Sequence, residues 1–186
     1  MVTGRAGSQS HSSRESLVSH RLSHRFPPLA DFLPYRLSIT SNAVSGHISG
    51  EYHARSGLKV SEWRVMAILG DRDSATQRDL VEATLMDKVA VNRACRVLEE
   101  RGLISRTPNA SDGRSHHLEL TATGVALYDE IMPLTRMMER RIFETLTQRE
   151  QDQLMIILKK LMQRVDELNG TPVRAEATPV RTEDRR

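Results

Sequence analysis

The segment "SATQRDLVEATLMDKVAVNRACRVLEERGL" (residues 74–103) constrains the fold more than any other part of the chain. Val91, Ala94, Cys95 and Leu98 fall at i, i+3, i+4 and i+7, the spacing of one buried stripe on a helix. Asp87 stands ahead of that stripe as an N-cap and Gly102 follows it as a stop. Upstream, Thr76 and Asp79 make a T-x-x-D start for a short helix, with Leu80 and Val81 as its apolar side. The turn "TLM" joins the two. The pattern therefore predicts helix, short turn, helix. Lys88, Asn92, Arg93 and Arg96 lie off the stripe and remain available on the second helix. A helix presenting such a polar, basic face fits the major groove of DNA.

The next stretch, "LISRTPNASDGRSHHLELT", changes period. Leu103 to Arg106 can form a strand and Pro108 to Gly113 is loop chemistry. His116, Leu118 and Leu120 then alternate with His117 and Glu119, as in a half-buried strand. The expectation is a β-hairpin wing directly after the second helix. An arginine at its tip, Arg114, would be placed to enter the adjacent minor groove or reach phosphate.

The flanks read as helices. Pro34 suits the first turn of a long helix from Tyr35 to about Ala54, with Leu37, Val44, Ile48 and Tyr52 at helical spacing and Gly57 closing it. Ser61 is expected to cap a second helix, with Glu62 in its first turn; Trp63, Met66, Ile68 and Leu69 supply its apolar side, and Gly70 is expected to end it. After the wing, Thr121 starts a long helix carrying Leu127, Ile131, Leu134, Met138 and Ile142. Thr147 and Glu150 form a capping box for a last helix. Its seam of Leu154, Ile157, Leu158, Leu161, Val165 and Leu168 is too long for a compact DNA-binding unit and calls for a partner. The first helix and the last two are expected to pack against their copies in a second chain.

The fold class expected is mainly α with a small β-hairpin wing: a winged helix-turn-helix lobe over about 58–121, and dimerisation helices over about 34–56 and 122–169. Residues 1–28 and 170–186 are expected to be disordered tails, since neither shows an apolar period that could offset chain entropy. The N-terminal arginines could touch phosphate, although a solvated tail is the preferred reading. A net charge of +3 and a pI near 9.3 permit a nucleic-acid partner without requiring one. One cysteine, Cys95, excludes an internal disulfide and suits a reducing compartment. Without an apolar run of membrane-spanning length or a signal core, the expected location is the cytoplasm, with no membrane partner.

Three segments together resemble the multiple-antibiotic-resistance regulator (MarR) family: "VNRACRVLEERGLISR" its recognition helix entering the wing, "SDGRSHHLELTATG" its D-x-R wing, and "LTQREQDQLMIILKKL" its last helix. The resemblance covers about residues 34–169. It implies a homodimeric transcription factor, usually a repressor, that binds a palindromic double-stranded operator and often releases it to a small, often aromatic, effector. It also implies that Asp112 braces Arg114 and that Arg114 contacts DNA. Val89, Ala90 and Val91 depart from the family, which commonly has hydroxyl residues there.

The candidate DNA-binding residues are Thr76, Gln77, Lys88, Ala90, Asn92, Arg93, Arg96, Arg106, Asp112, Arg114 and His117. Candidate effector-binding residues are Arg36, which could hold a carboxylate or phosphate bidentately, and His47, Tyr52, His53 and Trp63. Each of these is as easily a surface or core residue. Cys95, on the buried stripe, reads as core rather than as a reactive thiol. His116 and His117 point to opposite faces of a strand and cannot share a metal; His116 reads as a filler under the wing. No metal, cofactor or catalytic residue is expected. No nucleophile–base arrangement, glycine-rich phosphate loop or zinc motif is present, so an enzyme is not expected. The alternative readings are a repressor of efflux or stress genes and a helical interaction protein that does not bind DNA.

Overall fold

The computed structural model describes residues 28–108 and 116–170. Apart from Pro28 and Gly170, the segments expected to be disordered tails lie outside the described residues, as do the N-terminal arginines, Asp112 and Arg114. The chain divides into two compact units, Met1–Ser45 and Gly46–Arg186.

In the first unit a 3-10 turn, Leu29–Asp31, precedes helix α1, Leu33–Ser56, which continues into the second unit. Pro34 is in its first turn, where its missing N–H costs nothing. Leu33, Leu37 and Ile39 are exposed, as are Leu29 and Phe32 ahead of the helix.

The second unit runs α2 (Val60–Arg72), β1 (Ser74–Thr76), α3 (Gln77–Thr84), α4 (Lys88–Glu100), β2 (Ile104–Pro108), β3 (His116–Leu120), α5 (Ala122–Phe143) and α6 (Gln148–Leu168). Its core gathers Leu58, Val65, Met66, Leu69, Leu80, Val91, Cys95, Leu98, Leu118 and Ile131, all essentially fully buried. The stripe expected on the second helix of the pair is borne out, since Val91, Ala94, Cys95 and Leu98 are the buried residues of α4.

Four expectations need correction. Ser61 does not cap α2; the N-cap is Lys59, whose backbone N–H donates to the Glu62 carboxylate at 2.9 Å. The helix starts earlier because Leu58 is pinned in the core immediately before it. Gly70 does not end α2, which runs to Arg72. The glycine lets the Tyr128 ring of α5 pack against the helix, where a Cβ would collide with it. The wing is not a two-stranded hairpin alone. The sheet has three strands in the order β1-β3-β2, all antiparallel, with Ala75 opposite Leu118 and Arg106 opposite Leu118 on the other side. Three residues of β1 are too few for a period-2 signal, and their N–H and C=O groups pair only because β3 lies alongside. Finally, His116 is exposed rather than filling space under the wing; Leu118 does that.

The caps follow the sequence. Thr76 accepts from Asp79 N and Thr76 N donates back to Asp79, both within 3.2 Å. Asp87 accepts from Ala90 N at 2.8 Å, and Thr147 and Glu150 close the box that opens α6. Gly57 and Gly102 have φ of +68° and +67°, the left-handed region that a side chain resists.

Candidate nucleic-acid interface

Burying one side of α4 dictates what its other side shows. Lys88, Val89, Asn92, Arg93 and Arg96 are exposed, and with Val97 they line an open groove of about 490 Å³. Asn92 and Arg93 follow Val89 by three and four residues, and Arg96 follows by seven, so these four share a helix face. Arg96 is tied to Glu100 at 3.0 Å, but both side chains are mostly exposed, so the pair is weak and open to competition by phosphate. Among the described residues no carboxylate pairs with Lys88 or Arg93. The face therefore offers three cations and an amide that can donate and accept, the set that meets phosphates and base edges.

The helix is held against the sheet beneath it. Arg106 of β2 reaches the Glu99 carboxylate of α4 at 3.4 Å, so wing and helix are joined by charge as well as by the core. Arg106 Nε, Gln77 Nε2 and His117 Nδ1 are buried without a hydrogen bond among the described residues. His117 pairs in register with Thr76 on one side and Thr107 on the other, half-buried at the middle of the sheet. Burial pushes the Cys95 thiol up to about 11, only partly opposed by the Arg106 charge, so it is a core thiol rather than a nucleophile.

Of the candidate DNA-binding residues, the structure thus groups Lys88, Asn92, Arg93 and Arg96 on one exposed face. Ala90 is half-buried beside it. Thr76 spends its hydroxyl on the α3 cap, and Gln77 and Arg106 lie half-buried below α4. Val89, in the sequence a departure from the family pattern, is 68% exposed within the face. Its place off the stripe was the signal.

The candidate effector residues of the second unit are divided between core and surface. Tyr52 and Trp63 are in the core, with ring centroids 5.6 Å apart, and Tyr128 stacks on Trp63 at 5.8 Å. Burial pushes the Tyr52 hydroxyl up to about 12. His53 is exposed, with Nδ1 3.0 Å from the Leu58 carbonyl, and Arg36 and His47 are exposed on α1. Among the described residues no cluster of three metal-ligating side chains occurs, and no helix is long and apolar enough to cross a membrane.

Residues 56–115 match the model of the MarR family. The chain is 30% identical over 104 residues to the HTH-type transcriptional regulator YkoM of Bacillus subtilis, covering 56% of this chain and 68% of that one. A crystal structure of a MarR/EmrR family transcriptional regulator from Acinetobacter sp. ADP1 superposes with a TM-score of 0.70 at 26% identity, covering 76% of this chain and 99% of that one. A structure of BpsR from Bordetella bronchiseptica, concerned with regulation of its DNA binding by 6-hydroxynicotinic acid, superposes with a TM-score of 0.66 at 21% identity, covering 73% and 96%. The recognition segment, the wing strands and the flanking helices thus agree with the matched model and the superposed structures, and the chain belongs to the MarR family of transcriptional regulators.

Proposed function

We propose that this regulator is a homodimeric, ligand-responsive repressor that binds a palindromic operator in the cytoplasm and controls an operon for aromatic-acid breakdown. Phenolic acids and their coenzyme A thioesters are the preferred effector class. The observation that carries the DNA-binding reading is the face of α4, with Asn92 and three cations exposed above a fully buried stripe. On this reading Asn92 pairs with adenine, Arg93 or Arg96 with guanine or phosphate, and Arg114, braced by Asp112, enters the minor groove. Dimerisation joins two such helices. It is supported by Ile157, Leu161, Val165 and Leu168 of α6, each about half exposed or more in the single chain.

The effector class is our own reading from the family. BpsR responds to an aromatic acid, but at 21% identity that likeness carries the fold alone. Arg36 is the proposed carboxylate partner; His47, Tyr52, His53 and Trp63 are the other proposed effector residues, of which Tyr52 and Trp63 are in the core. Response requires that the effector bind the DNA-free arrangement better than the DNA-competent one.

Selection from a random duplex pool, followed by gel shifts across a salt series, tests this. The expected result is a palindromic consensus whose affinity falls steeply with salt as counterions are released. Release of that duplex by phenolic acids or their thioesters is expected as well. Failure to hold any duplex would return the chain to a helical interaction protein; release only by antibiotics would favour efflux control.

A further inference from the structure

Val89 is the second residue of α4 and is 68% exposed. It contributes nothing to the core, and its β-branched side chain is a modest handicap in a helix. A single exposed valine is ordinary on a protein surface. This one, however, stands among Lys88, Asn92, Arg93 and Arg96 on the wall of the groove they share. In that position its two methyl groups interrupt an otherwise polar and cationic face.

The base edges in the major groove are almost wholly donors and acceptors. The one apolar group they present is the 5-methyl of thymine. Asn92 and Arg93, one turn further along the same face, are the right distance from Val89 to address the neighbouring bases or phosphates while Val89 meets that methyl. We propose that Val89 is a specificity-determining residue that reads a thymine 5-methyl group in each operator half-site. The proposal rests on the reading of α4 as the base-reading helix.

The test uses the full chain and the duplex selected from a random pool. Each thymine is replaced in turn by deoxyuridine, which removes the 5-methyl and nothing else. Wild type should lose about fourfold in affinity at one thymine of each half-site, the size of withdrawing one methyl from a buried contact. Val89→Ala should bind the unmodified duplex more weakly and be indifferent to deoxyuridine at that position. Thermal unfolding of Val89→Ala should match wild type or rise slightly, since the side chain is exposed and alanine suits a helix better.

If wild type reads the selected duplex but no thymine methyl matters, the proposal is overturned while base reading stands. The same holds if Val89→Ala keeps the wild-type sensitivity to deoxyuridine. If wild type cannot tell the selected duplex from a scrambled one, base reading by α4 fails and the proposal falls with it.

Discussion

Gly124 of α5 lies so close to Leu103 that a Cβ on it would overlap the Leu103 carbonyl oxygen. Around this contact, Thr121 N donates to Leu103 O at 3.1 Å, the Thr121 hydroxyl donates to Gly102 O at 2.7 Å, and Gly124 N donates to the Thr121 oxygen at 3.0 Å. The end of α4, the start of the wing and the start of α5 are thereby locked together.

Gly124→Ala should consequently destabilise the fold. Alanine is favoured over glycine in a helix by about 1 kcal/mol, but forced overpacking costs about 1–3 kcal/mol and the obstacle here is backbone. The expected outcome is a lower denaturant midpoint and weaker DNA binding. A raised midpoint would show that the contact relaxes freely.

Cys95 should be unreactive in the folded protein and titrate quickly with a thiol reagent only after denaturation. Folding raises its pKa from an ordinary 9.0 to about 11, and that of Tyr52 from 10.0 to about 12. Both groups keep their protons longer when folded. Their contribution is full below the unfolded values and is lost as pH rises toward the folded ones. Stability should thus fall above pH 9, by about 1.4 kcal/mol per pH unit for each group while it titrates. Cys95→Ala should flatten the slope between pH 9 and 11. An unchanged slope would assign the alkaline loss elsewhere.

Leu161→Asp places a charge in the exposed seam of α6, where Leu161 is 49% exposed in the single chain. Sedimentation should report monomers, with operator affinity much reduced because the half-sites are no longer linked. An intact dimer would remove α6 from the interface.

Arg114→Ala should weaken operator binding strongly and leave thermal unfolding unchanged. On the proposed reading Asp112 only orients the arginine, so Asp112→Ala should act in the same direction and less. With Arg114 gone Asp112 has nothing to hold, so the double variant should resemble Arg114→Ala alone. Additive losses would exclude bracing.

What was legible in the sequence follows from what is local. Caps at Thr76, Asp87, Thr121 and Thr147, the stop at Gly102 and the stripe from Val91 to Leu98 are each decided within a few residues, and all are observed. The misreadings arise where a distant segment decides. Gly70 looked like a terminator, yet its role is to admit Tyr128. The Ser74–Thr76 strand exists only through its pairing with β3. Tyr52 and Trp63 stand on apolar helix stripes in the sequence yet are also candidate effector residues, and packing decides for the core. Within the candidate site, Asn92 and Arg93 were legible from the stripe they avoid. The apolar member Val89 lies off the same stripe, but its hydrophobicity argues for burial and masks that signal.

The central claim is that the exposed face of α4 reads bases. The measurement that tests it most directly is the affinity of Asn92→Ala and wild type, at one salt concentration, for the selected operator, its single-base variants and a scrambled duplex. Asn92→Ala should lose about 1–3 kcal/mol on the operator and relax preference at one position per half-site, while matching wild type on the scrambled duplex. An equal loss on every duplex, or no loss on the operator, would contradict the account.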